Sequence, residues 1–186
     1  MRQVIFTFFL AGLFLNLSAG TIEYTYTFNN YEINQSGNYS FISFENLYLT
    51  GKQGEPVLPY QAVKLLLPPG TEAFDIEFIG LDEIVISGTY ELFPRQPSRP
   101  LSEHGQTEFI KNTSIYKKDA IYPNLQTGTL STEYLHGYAI ALSTFTPVKY
   151  NPVNGTVSYF QQVTIRIHTK AAQSLTVKTH HQQKKL

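Results

Sequence analysis

Apolar and polar side chains alternate along much of this chain with a period of two. Ile22, Tyr24, Tyr26 and Phe28 alternate with Glu23, Thr25 and Thr27, and Phe74, Ile76 and Phe78 alternate with Asp75 and Glu77. Successive side chains of a strand point to opposite faces, so each run predicts a strand with one buried face. The longest run sets Val157, Tyr159, Val163, Ile165 and Ile167 against Ser158, Gln162, Thr164, Arg166 and His168, with Gln161 as the one lapse. Before it stands Asn151-Pro152-Val153-Asn154-Gly155. The proline cannot donate to a ladder and Asn154-Gly155 suits the positive φ of a tight hairpin, so residues 144–150 are the expected partner strand.

Proline and glycine mark the rims. Residues 51–59 read as a turn-rich connection, and residues 60–67 as a strand whose near-continuous apolar character predicts burial on both faces. Pro68-Pro69-Gly70 ends that strand abruptly. The same reading along the chain predicts about seven to nine strands, with turn signals at the spacing of an all-β, antiparallel β-sandwich of jelly-roll type. Residues 93–123 break the rhythm, with Pro94, Pro97, Pro100 and Pro123, scattered charges and only short apolar pieces at Phe109-Ile110 and Ile121-Tyr122. So long a connection in a compact domain is uncommon and is usually functional or disordered, which makes it the first place to look for function.

Composition agrees with strands. Tyr and Phe occur 13 times each, and these residues suit a pleated, half-buried surface. The 14 basic and 14 acidic side chains cancel, which argues against a nucleic-acid partner. There is no cysteine, so disulfides, thiol nucleophiles and cysteine-ligated zinc are excluded for these residues.

The N-terminus has the form of a secretory signal peptide. Arg2 precedes an almost unbroken apolar run at residues 4–15, and small residues Ser18 and Gly20 suit cleavage after Gly20. A retained anchor is the weaker reading, because a membrane span needs about 20 apolar residues. No cysteine follows the run, so a lipoprotein anchor is excluded. The expected organisation is a signal peptide at 1–20, one β-domain at 21–172 and a polar linker or tail at 173–186, with no stable membrane insertion after signal cleavage.

No catalytic constellation emerges. His104, His136, His168, His180 and His181 have no zinc-site spacing, and Asp82-Glu83 and Glu103-His104 read as solvated turn and loop charges. There is no nucleophile elbow and no phosphate-cradling glycine loop, so no metal or cofactor is expected. Four glycosylation sequons beyond residue 20, at Asn34, Asn38, Asn112 and Asn154, matter only in a cell that modifies them. The tyrosines and phenylalanines could stack on sugars, but most fall at alternating core positions and there is no tryptophan. From residue chemistry alone the chain is a β-domain that binds a partner.

Four blocks carry a resemblance. They are Gly54-Glu55-Pro56-Val57-Leu58-Pro59; Val63-Lys64-Leu65-Leu66-Leu67-Pro68-Pro69-Gly70; Tyr122-Pro123; and Pro147-Val148-Lys149-Tyr150-Asn151-Pro152 with Gly155. In that order and spacing the chain resembles the N-terminal propeptide of gingipain-type, clostripain-related secreted cysteine peptidases, over residues 51–168. The resemblance implies a jelly-roll sandwich that assists folding of a cognate peptidase catalytic domain and keeps it latent, in a bacterium that secretes the enzyme or holds it at the cell surface. It further implies that a basic side chain from a propeptide loop enters the acidic specificity pocket. A guanidinium suits this role, since it keeps its charge and binds a carboxylate through a planar fork. Arg99, between Ser98 and Pro100, is the first candidate and Arg95 the second. Counted back without gaps from Tyr122-Pro123, the family's basic position falls near Leu101, so Arg99 requires a two-residue shift. The catalytic His and Cys of such a peptidase belong to a domain that would follow, and three readings stay open: a propeptide separated from its enzyme, an inhibitor acting in trans, or a surface binding module.

Overall fold

In the computed structural model, residues 20–98 and 108–172 are described; the apolar run at 4–15, the tail at 173–186 and Arg99 lie outside them. The described residues form ten strands and one short helix. Every pairing between named strands is antiparallel.

The predicted long strand is the axis of the molecule. This strand, β10 (Thr156–Ala171), pairs along its full length with β6 (Thr71–Ile86). On the opposite side, β1 (Thr21–Thr27) pairs with residues 162–168 and β9 (Val148–Asn151) with residues 156–159. A second sheet has the order β4 (Tyr48–Thr50), β5 (Leu58–Leu66), β8 (Tyr138–Phe145), β7 (Ser131–Leu135). A hairpin, β2 (Glu32–Ser36) with β3 (Tyr39–Ser43), stands beside them. The fold is all-β and antiparallel as expected; these pairings do not by themselves define jelly-roll connectivity.

The alternating face of β10 is the core. Val157, Val163, Ile165 and Ile167 are fully buried and Tyr159 nearly so. Phe145 of β8 meets Tyr26, Phe28 and Phe78 edge-on, with ring centroids 5.0, 5.9 and 5.9 Å away, so one aromatic cluster joins the two sheets.

Four expectations change in detail. Residues 144–150 are not one strand: Thr144 and Phe145 end β8 against Ala62 and Gln61, and only β9 returns along β10. Pro147 lacks the N–H that a continuous ladder needs, and Thr146 turns its hydroxyl to the Val148 N–H instead. In β5 only one face is covered: Val63 is buried and Leu66 is 60% exposed, so continuous apolar sequence did not mean two buried faces. In β6 the register slips between His168 and Thr169, which turns Ala73 toward the core and leaves Phe74 53% exposed beside His168. In the hairpin before β10, Gly155 alone takes positive φ, at 67°, and Asn154 instead accepts the Thr156 N–H on its side chain.

Candidate functional site

The irregular region is built around a stem. Residues 91–95 run extended between β3 and residues 54–57, joined to them by isolated bridges and hydrogen bonds. On one side, the Ser40 N–H donates to Glu91 O and the Phe93 N–H to Ser40 O; on the other, the Val57 N–H donates to Phe93 O and the Arg95 N–H to Glu55 O. Pro94 and Pro56 face each other across this ladder. Prolines are tolerated there because neighbouring residues carry the hydrogen bonds.

Gly54 joins both legs of the stem. Its N–H donates to Arg95 O at 2.7 Å, and its carbonyl accepts the Asn112 N–H at 2.8 Å. It does so at φ 79°, and an added Cβ would lie 3.2 Å from both Asn112 N and Ile110 Cγ2. A side chain is disfavoured on both counts. Above this point the Gln96 side chain closes the legs: Nε2 donates to Pro94 O and Ile110 O at 2.8 Å, and Oε1 accepts the Ile110 N–H at 2.9 Å. Asn112 then caps the helix α1 (Thr113–Tyr116), its Oδ1 accepting the Ser114 N–H.

Aromatic rings brace one side. Phe109 stacks on Tyr39 at 5.3 Å, Phe93 stacks on Phe41 at 4.8 Å, and Phe93 meets Phe109 edge-on. Lys111 lies over the rings of Tyr116 and Tyr39 and pairs with Glu91.

Three tyrosine hydroxyls hold the underside. Tyr116 donates to Leu92 O at 2.6 Å; the Tyr150 hydroxyl accepts the Leu92 N–H and donates to Tyr90 O; Tyr122 donates to the Glu55 carboxylate at 2.8 Å. Burial pushes the Tyr116 and Tyr122 phenols far above the usual tyrosine range, and Glu55 adds to the shift at Tyr122. Burial also raises Tyr150, against the opposing pull of the Leu92 N–H. Tyr122 and Tyr150 exchange backbone hydrogen bonds at 2.7 and 2.9 Å, and the Tyr122-Pro123 peptide is cis.

The structure thus brings together Gly54, Pro56, Tyr122, Pro123 and Tyr150. The other motif residues do local work. Asn151 donates to Asp119 and accepts the Val153 N–H ahead of the Pro152 turn, and Pro147 O takes the Phe160 N–H. Pro59 pairs with Leu49 in β5, and Pro68 O accepts both the Thr71 N–H and its hydroxyl at the far rim. Arg95 is exposed, with both of its backbone groups held by Gly54 and Glu55.

A family model described as Propeptide_C25 matches residues 18–186. The chain belongs to the Propeptide_C25 family. Two solved structures share its fold. One, described as a structural insight into zymogenic latency of gingipain K from Porphyromonas gingivalis, is 21% identical, covers 88% of this chain and 97% of its own, and has a TM-score of 0.66. The other, a complex of the pro- and mature domains of RgpB from the same organism, is 17% identical, with 87% of each chain covered and a TM-score of 0.66. No curated protein sequence matches the chain. As a Propeptide_C25 domain the chain is a pro-region and not the catalytic unit, and it holds no cysteine that could act as a nucleophile. Among the described residues no group of His, Asp and Glu is arranged to hold a metal ion.

The sequence of this Propeptide_C25 chain marks Gly54, Tyr122 and Tyr150 as motif residues, but it gives no stem role to Gln96, Ile110, Asn112 or the Tyr39-Phe93-Phe109 cluster. Gln96 sits between two prolines, and nothing in its local sequence shows that its amide bonds a backbone far along the chain.

Proposed function

We propose that this chain is the propeptide of a secreted, gingipain-like cysteine peptidase and keeps that enzyme's catalytic domain latent, with residues 1–20 as its signal peptide, residues 21–172 as the inhibitory domain and residues 173–186 as a linker. The stem carries this reading. Two of the four family blocks, through Gly54, Glu55 and Tyr150, hold the two legs of one loop, a third braces those two blocks through Tyr122, and the loop's base is closed by Gln96 and Ile110. A loop held at its base loses less entropy when it enters a pocket, and preorganisation of this kind raises affinity.

The stem supports putting Arg99 ahead of Arg95. Arg95 belongs to the ladder, its N–H and carbonyl both engaged. Arg99 follows beyond the Gln96 clamp in sequence and is the first candidate for the specificity pocket of a peptidase that accepts basic residues. No helix among the described residues is long and apolar enough to cross a membrane, and the site of action proposed is outside the cytoplasm.

The test is inhibition of a mature gingipain-like peptidase by residues 20–186. Truncating one partner of a buried charge pair costs about 2–5 kcal/mol, so Arg99→Ala should weaken inhibition by at least about thirtyfold, and Arg95→Ala by much less. Equal inhibition by the Arg95→Ala, Arg99→Ala double variant would sink the arginine assignment. No inhibition by the parent chain would sink the whole reading.

A further inference from the structure

The longest strands of the first sheet are β10 and β6, and among the described residues β6 lies at the sheet's edge. Folded proteins usually keep edge strands short, charged or kinked, because unpaired N–H and C=O groups invite another strand. The other edge strands follow that rule, at seven, four, three and five residues for β1, β9, β4 and β7. β6 has 16.

Its two ends are blunted. Near one, the Ala73 N–H is taken by the Thr132 hydroxyl and the Ile76 N–H by the Asp75 carboxylate. Toward the other, Asp82 takes φ 53° and breaks the extended backbone. Between them Ile76-Glu77-Phe78-Ile79-Gly80-Leu81 is open and apolar apart from Glu77. The direction of its backbone groups follows from β10. There Gln161 O accepts the Phe28 N–H and the Thr169 N–H donates to Gly20 O, so between residues 161 and 169 the odd-numbered residues of β10 face β1 and the even-numbered ones face β6. Odd residues of β6 answer them, which turns the N–H and C=O of Ile76, Phe78 and Gly80 to the open side.

We propose that two copies of this chain pair antiparallel through this segment, joining their first sheets across a two-fold axis at Phe78. A second copy is favoured because the segment complements itself in one register. With the axis at Phe78, Asp75 faces Leu81, Glu77 faces Ile79 and Ile76 faces Gly80. No carboxylate faces another. Moving the axis to Glu77 sets Glu77 against its own copy, and moving it to Ile79 sets Asp75 against Glu83; like charges directly opposite are unfavourable. Slips by single residues mate core faces with solvent faces. In the chosen register the Ile76 N–H passes from Asp75 to the Gly80 carbonyl of the second copy. This pairing does not depend on the peptidase reading.

The absence of native cysteine permits a direct test on residues 20–186, which contain every described strand. Asp75 and Leu81 form a facing pair without hydrogen bonds between them, whose Cα separation of about 4.5 Å lies within disulfide range. A mixture of Asp75→Cys and Leu81→Cys chains should oxidise to a disulfide-linked dimer, while each alone should not, since like positions then lie about 20 Å apart. Sedimentation of the unmodified chain should show mass doubling with concentration. A monomer at every concentration would overturn the proposal, including the case in which the edge serves a strand of another protein. Equal cross-linking by either cysteine variant alone would overturn this register.

Discussion

Single residues of the stem matter because each joins segments far apart in sequence. Gly54 combines positive φ, close contact and two hydrogen bonds to opposite legs. Gly54→Ala should cost about 1–3 kcal/mol from backbone strain and crowding, read as a lower denaturant midpoint, and should weaken inhibition further than that loss explains. Tyr122 is simpler: its hydroxyl donates to a carboxylate in a half-buried setting. Tyr122→Phe should lose about 1.5–3 kcal/mol, the range for hydrogen bonds to charged groups, and thermal unfolding should fall by about 2–4 °C per kcal/mol. An unchanged melting temperature would mean that Glu55 finds water in its place. Gly54 was legible as a turn signal beside prolines. Its partners Arg95 and Asn112 were not, because no local pattern encodes a contact made only after the sheets assemble.

At the scale of elements, alternation named β10, β1 and a short central part of β6, since a half-buried strand must alternate. It failed where sheet geometry intervenes: the register slip near His168 exchanged Phe74 for Ala73, and the uncovered face of β5 left Leu66 in solvent. The long proline-rich stretch was rightly set apart from the strands, but its described parts are ordered by bonds to β3 and to residues 54–57. The clamp is the element-scale prediction. Gln96→Ala removes two hydrogen bonds between the legs and one within its own leg. It should weaken peptidase inhibition about tenfold through loss of preorganisation, with a melting temperature near that of the parent. A large loss of stability with unchanged inhibition per folded molecule would show that the amide serves the sheet and not the loop.

For the whole molecule, the outer face of the first sheet carries a row of charge pairs. Arg166 bridges Glu23 and Glu77 at 2.6 and 2.8 Å, His168 also contacts Glu77, and Lys149 pairs with Glu83, which accepts the Ser158 hydroxyl. The hydrogen bonds from His168 and Arg166 hold the Glu77 carboxyl below its usual range, and those from Lys149 and Ser158 do the same at Glu83. Folded-state values below the unfolded ones mean that the unfolded chain takes up protons first as pH falls. The stabilisation is therefore full above the ordinary glutamate value, about 4.3, and is lost as pH drops through the depressed folded values. Denaturant midpoints should stay level near neutral pH and fall in that acid window. Glu77→Gln with Glu83→Gln should flatten the fall, and an unchanged acid slope would remove these pairs from the account. Exposed pairs are worth little singly, so the effect should be modest and should shrink with salt.

The sequence by itself determined the class of fold, the central strand, the rim turns and the region that departs from the strand rhythm, because alternation, proline and glycine act through neighbouring residues. The four family blocks were visible as residues in order. Only the tertiary structure decided what they do together. It set Gly54 between Arg95 and Asn112, closed a loop with the amide of Gln96, and left β6 at an edge. These outcomes depend on which strands become neighbours, and that is settled by burial of a common core rather than by any local pattern.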